Sequence, residues 1–500
     1  MTADRSRPQD GIRVLVAAGG TGGHVVPGLA LARALVERVP GVTVSFAGTS
    51  RGIETRVVPE AGFRLHLLPI LPLSRRLAVE TALAPGAAVG GTGAALRLLR
   101  RERIDVVAGM GGYVTLPVAA AARLAGVPVV LHESNAVPGL ANRLAARFAR
   151  RVGVGVAAAV AAFPPGKAVL VGNPVRPELV RLDRAARRAE ALAAFGLEPR
   201  RRTLFVFGGS QGARRINRAL VAATPRWPEP GAIQVLHACG RRDEAEVRVA
   251  WQAANPEARG LLVRVVPFVD RMDLAYAAAD LAVTRSGAMT MAELTAVGMP
   301  AVMVPLPHAT AGHQAANALA AAEAGGARVV PDERLDGAAL VAAAAPLLSD
   351  PGELARMSKA MLGLARPRAA EEMAALVLGA LPPAKRPRLA DDEPGDIAAT
   401  REFVAWFGPE RAPRRPAAEP PPARPGPGGS GGLESEAGTQ AEGGHAQPSV
   451  SPPVNGIAGS GGTRREEEPA KEPGADLGDT AEFRAWYRRE RRGEGEDDER

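Results

Sequence analysis

Five hundred residues, 46% of them hydrophobic, are enough for two or three domains with filled cores. The net charge of +9 is unevenly spread. Residues 385–500 carry 17 basic against 23 acidic side chains, which leaves 45 against 30 in the preceding part. The basic part suits anionic partners, whereas the interleaved basic and aromatic pattern of single-strand binders is missing, so nucleic acid is not expected as a partner. One cysteine, Cys239, excludes an internal disulfide framework and a thiolate metal cluster, and a reducing cytoplasm is the expected compartment. The polar start MTADRSRPQDG lacks the order of a secretory signal. The uncharged run Val106–Ala122 is broken by Gly-Gly and Pro and is shorter than a membrane span, so any membrane contact is expected to be peripheral.

Along the chain, Arg13–Ala18 is a short apolar run of the kind buried on both faces of a parallel sheet, followed by a glycine turn and a helical pattern at Leu29–Val39. The alternation continues through strands at Val42–Ala47, Val106–Ala108, Val127–His132 and Val152–Val156. An extended segment, Val169–Arg176, leads to a second series. Its strands are Thr203–Phe207, Ile233–His237, Leu261–Val266, Leu281–Thr284, Ala301–Val304 and Ala327–Val330. The pattern predicts an α/β chain with two doubly wound, Rossmann-like domains facing a cleft. The expected boundaries are 1–168, 169–350, closing helices within 351–381 that pack back across the lobes, and a disordered acidic tail over 382–500. That tail contains a repeat, in which Glu393–Phe407 recurs as Glu472–Tyr487. Phe403, Trp406 and Phe407, like Phe483, Trp486 and Tyr487, would share one helical face. Two copies of a short helix that docks into a protein partner's groove are one reading; a duplication without function is the other.

The chemistry gathers at turns after strands. Gly19-Gly20-Thr21-Gly22-Gly23-His24 joins the first strand to the first helix, where free N–H groups and the helix dipole favour an anion. It lacks the third glycine of a dinucleotide fingerprint and the Lys-Ser/Thr of a Walker loop. Gly208-Gly209-Ser210-Gln211-Gly212 occupies the equivalent turn of the second lobe; Ser210 either binds a phosphate oxygen or caps its helix. Thr290-Met291-Ala292-Glu293 reads as a capping box or, if its helix faces the cleft, places Glu293 to accept ribose hydroxyls. His308 and His313, with no carboxylate nearby, do not have zinc spacing, and Gln314 suits a sugar hydroxyl better. Phe63–Arg76 combines Leu68, Ile70, Leu71 and Leu73 with Arg75 and Arg76, which reads as a membrane-facing patch or as a buried strand and turn.

In order, GGTGGH (19–24), GMGGYV (109–114), HESN (132–135), VGNPVR (171–176), GGSQGAR (208–214) and RSGAMTMAE (285–293) resemble the motifs of the MurG family of peptidoglycan N-acetylglucosaminyltransferases over roughly residues 12–380. The resemblance implies the two-lobed GT-B fold and inverting transfer of GlcNAc from UDP-GlcNAc to the MurNAc 4-hydroxyl of lipid I at the cytoplasmic face of the membrane. It implies that Thr21, Gly22 and Gly23 lie near the donor sugar and acceptor diphosphate and that Asn135 contacts GlcNAc. It further implies that Arg176 and Ser210 serve the donor site and that Val269 meets uracil through its backbone. Ala288, Met289, Thr290, Met291, Ala292 and Glu293 would wrap the nucleoside, and Gln314 would bind the donor sugar. Ser134 stands where many relatives carry Gln. His24 is the first choice for general base, with Glu133 the alternative. Rival readings are a GT-B enzyme with another lipid or natural-product acceptor, a UDP-GlcNAc epimerase, and a silent scaffold. No Asp-x-Asp motif precedes the cleft and no cofactor is expected. Turnover should therefore be the same in excess EDTA as in added Mg²⁺, and a rate that collapses on chelation would refute metal independence.

Overall fold

The computed structural model describes residues 11–70, 78–209, 212–255, 260–307, 312–387 and 483–485, with side chains in the helix Ala78–Arg101 from residue 89 onward. Seven parallel strands form the first sheet: β1 (Arg13–Ala17), β2 (Thr43–Gly48), β3 (Arg64–Leu67), β4 (Val106–Gly109), β5 (Val129–Glu133), β6 (Arg151–Val154) and β7 (Ala168–Leu170). Six parallel strands form the second: β8 (Arg202–Phe207), β9 (Ile233–Ala238), β10 (Leu262–Val266), β11 (Leu281–Thr284), β12 (Ala301–Met303) and β13 (Ala327–Val329). The orders β3-β2-β1-β4-β5-β6-β7 and β10-β9-β8-β11-β12-β13 are those of doubly wound sheets. Each reverses direction once, between β1 and β4 and between β8 and β11. A crevice opens outside the carboxyl ends of the strands at such a point.

The period of two along each strand feeds both faces. In β1, Val14 and Val16 join one core cluster and Leu15 and Ala17 the other; in β8, Leu204 and Val206 face opposite to Phe205 and Phe207. Helix ends follow local chemistry. Asp183 accepts a hydrogen bond from Ala186 N at 3.0 Å to start the helix Arg184–Phe195, and left-handed Gly196 (φ 63°) ends it.

The first sheet has two strands more than the five expected. β7 is three residues long and overlaps the start of the stretch expected only to be extended. β3 is a partly exposed edge strand without an apolar run, so the leucines around it suggested a membrane patch. Leu68 and Ile70, assigned to that patch, are instead buried with Leu98 and Leu99 in the sheet's core. Leu71, Leu73, Arg75 and Arg76 lie outside the described residues. No helix among the described residues is long and apolar enough to cross a membrane.

After the second sheet, the helix Pro351–Gly363 packs on its own lobe, burying Met357 and Met361. The helix Ala369–Gly379 returns to the first lobe, where Ala370, Met373, Ala374, Val377 and Leu378 enter the cluster containing Val14 and Val106. The Arg150 guanidinium donates to the Ala380 carbonyl at 2.8 Å, and Lys385 pairs with Asp105 at 2.5 Å. Composition predicts no packed structure from 382 onward, yet Pro383–Lys385 form a 3-10 turn held by that ion pair, and Phe483 is buried against the second lobe. The rest of both tail repeats lies outside the described residues.

Met373 is fully buried, and its sulfur occupies space that a side chain on Gly153 would fill. Met373→Ala should therefore destabilise the returning helix by about 2–5 kcal/mol, seen as a lower urea midpoint for the first lobe; an unchanged midpoint would contradict this packing.

Candidate functional site

The loop between β1 and the helix Gly22–Arg38 is shaped by a carboxylate. Glu54, fully buried, accepts from Gly20 N at 2.9 Å and from Thr49 N and Oγ1 at 3.0 and 3.1 Å. Gly19, Gly48 and Gly52 leave the room it needs, since a Cβ on any of them would come within 2.8 Å of a Glu54 atom. Gly20 has φ 89°, a conformation that glycine adopts without strain. Thr21 is the helix N-cap residue but its side chain makes no capping bond. The backbone N–H groups of Gly22 and Gly23 thus belong to the uncapped first turn, at positions only partly buried.

His24 follows, with Nδ1 3.3 Å from Thr21 Oγ1. Its ring lies against Gly111 and Gly112, where added Cβ atoms would meet it at 2.9 and 3.1 Å; both glycines have positive φ. Burial holds the imidazole below its ordinary value, while Glu133, the Gly19 carbonyl and Glu54 pull it upward. Tyr113, next in the GMGGYV motif, hydrogen-bonds Thr49 Oγ1 at 2.8 Å.

Glu133 ends β5, and each of its oxygens accepts two hydrogen bonds. Oε1 takes Asn135 N at 2.9 Å and Asn135 Nδ2 at 3.1 Å; Oε2 takes Gly139 N at 3.1 Å and Asn142 Nδ2 at 2.9 Å. The carboxylate is therefore the organiser of the loop that carries Asn135. Buried His132 donates from Nε2 to the Gly172 carbonyl at 3.0 Å, and burial keeps it neutral.

On the second lobe, Gly287 is the N-cap of the helix Ala288–Ala296, so Thr290 sits inside the helix and the capping-box alternative does not form. Glu293 is buried at 7% exposure, accepts from Tyr276 Oη at 3.1 Å and lies 3.5 Å from Arg176 Nη2. Burial raises its pKa, with Arg176 and the Tyr276 hydrogen bond opposing. Gln314 is locked beside this helix: Ser286 Oγ donates to its carbonyl at 2.7 Å and its amide oxygen accepts from Leu306 N at 3.0 Å. Val269 buries its side chain in the same core as Tyr276. Ser210 and His308 lie outside the described residues; the helix Arg214–Ala222 takes Ala213 as its N-cap residue.

Polar contacts among the described residues join the halves, Arg181 Nη2 to Glu37 Oε2 at 3.7 Å being one of them. Asn173 Nδ2 donates to Ser134 O at 3.1 Å and to Ala288 O at 3.5 Å, Arg33 pairs with Glu178 at 2.7 Å, and Arg56 lies 3.9 Å from Asp270. Thr21, Gly22, Gly23, His24, Glu133 and Asn135 thus assemble on one lobe and Arg176, Ala288–Glu293 and Gln314 on the other, with Asn173 between them. Sequence reasoning missed Glu54, Asn142, Asn173 and Tyr276. An acidic residue shortly after the second strand is a nucleotide-fold signal that could have found Glu54; Asn173, inside VGNPVR, carries no pattern of its own.

Two doubly wound, nucleotide-fold lobes in one chain with polar residues gathered between them define the two-domain GT-B architecture. Residues 14–154 match the glycosyltransferase family 28 N-terminal domain and residues 203–373 its C-terminal domain. The UDP-N-acetylglucosamine--N-acetylmuramyl-(pentapeptide) pyrophosphoryl-undecaprenol N-acetylglucosamine transferase of Acidothermus cellulolyticus is 48% identical, covering 73% of this chain and 97% of the relative. The enzyme of the same description from Streptomyces avermitilis is 44% identical over 74% and 99%. The crystal structure of MurG from Acinetobacter baumannii aligns with a TM-score of 0.57 at 30% identity, covering 74% of this chain and 99% of that one. A UDP-N-acetylglucosamine 2-epimerase aligns at 0.55 with 16% identity and shares the fold. The chain belongs to glycosyltransferase family 28 and, within it, to the MurG family.

Glu54→Gln replaces one acceptor oxygen with a donor facing N–H groups. It is expected to lower kcat/KM by about 10- to 100-fold, through a loosened glycine loop, in a protein that still folds. Wild-type kinetics in that variant would remove Glu54 from the site's support.

Proposed function

We propose that the cleft transfers N-acetylglucosamine from UDP-GlcNAc to the MurNAc 4-hydroxyl of undecaprenyl-pyrophosphoryl-MurNAc-pentapeptide, inverting the anomeric carbon and converting lipid I to lipid II. The observation that carries this reading is the pairing of a glycine turn and His24 on one lobe with the Arg176, Tyr276 and Glu293 cluster on the other, in a chain whose relatives bear that activity's name.

In the donor half, the Glu293 carboxylate accepts the vicinal hydroxyls of ribose, releasing Arg176 toward the diphosphate. The helix from Ala288 through Met289, Thr290, Met291 and Ala292 lies along the nucleoside. Val269 offers its backbone to uracil, because its side chain is committed to the core. Gln314, with its amide oxygen already held by Leu306 N, donates from its amide nitrogen to a sugar hydroxyl. Ser210 and the N–H groups of the second glycine turn meet the leaving diphosphate, where charge grows as the bond breaks.

In the acceptor half, Nδ1–H of His24 is held by the carbonyl and hydroxyl oxygens beside it, which leaves the Nε2 lone pair for the 4-hydroxyl. One displacement then suffices. The acceptor oxygen bonds to the anomeric carbon, the bond to UDP breaks, and the hydroxyl proton passes to His24. Glu133, with both oxygens engaged, positions Asn135 against the sugar. Thr21, Gly22 and Gly23 present the uncapped helix start to the acceptor diphosphate. The membrane contact is peripheral, on the cytoplasmic face. Leu67 and Val89, at 55% and 73% exposure on the first lobe, contribute to it along with the segment Leu71–Arg76.

The decisive assay is UDP release from UDP-GlcNAc with and without a lipid I analogue. Release is expected only with acceptor, and His24→Ala should cut kcat by about 10²- to 10⁴-fold. A lowered His24 pKa keeps the free base at neutral pH, so the acid limb of kcat/KM should fall below about pH 6.5 and vanish in the variant. Acceptor-independent conversion of the sugar to its C2 epimer would overturn the transferase reading.

A further inference from the structure

Beyond residue 373 the chain leaves the family match, and the tail repeat has no part in the chemistry above. Its second copy nevertheless touches the enzyme. Phe483, Arg484 and Ala485 form a helical turn; Phe483 is only 5% exposed and belongs to the same apolar cluster as Ala318, Ala321, Ala322 and Met361. Arg484 Nη2 lies 2.6 Å from Glu323 Oε1, on the last residue of the helix His313–Glu323.

We infer that the second lobe carries a seat for the tail's aromatic repeat, and that the Phe483 copy of the same chain occupies it. Two features make the seat. Alanines along the helix His313–Glu323 give a shallow apolar surface that one aromatic ring can fill, and Glu323 stands at its rim to meet a cation. The two repeats differ at that cation. Glu402-Phe403-Val404-Ala405-Trp406-Phe407 has valine where Glu482-Phe483-Arg484-Ala485-Trp486-Tyr487 has Arg484. Both copies can supply the anchoring phenylalanine, and only the second can supply the ion pair. That pair is about 40% exposed on both sides and favours the second copy by a few-fold at most. The ring is the main anchor, and its burial is worth roughly ten- to a hundred-fold in the docking equilibrium.

Glu323 is nine residues beyond Gln314, roughly 14 Å along the helix axis. The seat therefore tethers the tail at the far end of a helix that serves the donor side, without plugging the cleft. The remaining copy, Glu393–Phe407, is left to compete for the seat or to reach another molecule.

The test is cross-linking of the full chain carrying Glu323→Cys and Arg484→Cys with a short bismaleimide. Cys239, the one native thiol, is buried and does not compete. A monomer carrying one bridging linker is expected, with yield falling about tenfold or more when Phe483→Ala is added and unchanged by Phe403→Ala. Phe483→Ala alone should keep full transferase turnover, which separates this result from any failure of the catalytic reading. Dimers cross-linked between chains, a yield indifferent to Phe483→Ala, a yield that follows Phe403 instead, or no cross-link would each overturn the proposal.

Discussion

The cleft depends on one constraint: backbone N–H groups of the loops at the carboxyl ends of the parallel strands need acceptors once they leave water, and here buried carboxylates supply them. Glu54 gathers the N–H groups of two loops, Glu133 gathers those of a third, and Asn173 reaches from the linker to a carbonyl on each lobe. Glycine supplies freedom at φ values other residues avoid, and a buried acceptor then selects one conformation from that freedom. Glu54 holds the turn that precedes the uncapped helix start at Gly22.

The two lobes use their acidic groups differently. On the first lobe Glu54 accepts from two backbone N–H groups and a hydroxyl and Glu133 from backbone and carboxamide donors, so both hold loops. On the second lobe Glu293 accepts from Tyr276 and makes a looser contact with Arg176, in a setting where burial disfavours its charge. A carboxylate so lightly satisfied gains from a ligand that brings two hydroxyls, whereas a saturated one does not. Burial lowers the pKa of both His24 and His132, and the His132 ring is in addition committed to the Gly172 carbonyl.

Within residues 11–387 the chain crosses between the lobes at the linker containing Asn173 and at the segment before the helix Ala369–Gly379. The returning helix buries its apolar face in the first lobe's core, so the C-terminal part of the globular chain completes the N-terminal lobe. Deep burial at one crossing and a pair of hydrogen bonds at the other tie the two lobes together.

By itself, the sequence determined the alternation of short apolar runs with helical patterns, the two glycine turns, and the linked motifs that announce the family. These are local: a strand buried on both faces must be apolar throughout, and a turn that approaches an anion must be glycine. All six strands of the second sheet were legible for that reason. β3 and β7 were not, because an edge strand needs no apolar run and three residues make no period. Leu68 and Ile70 show the same limit, since a leucine-rich stretch has one composition whether it meets lipid or the Leu99 side chain. Only the tertiary structure decided that Glu133 is saturated, that Thr290 lies within its helix, that Asn173 bridges the lobes and that Phe483 is buried. Thr290 is placed by where a helix begins, Asn173 and Phe483 find partners far along the chain, and Glu133 is saturated by a loop that folds Asn135, Gly139 and Asn142 back onto it; contacts of this kind leave no periodic trace in the chain.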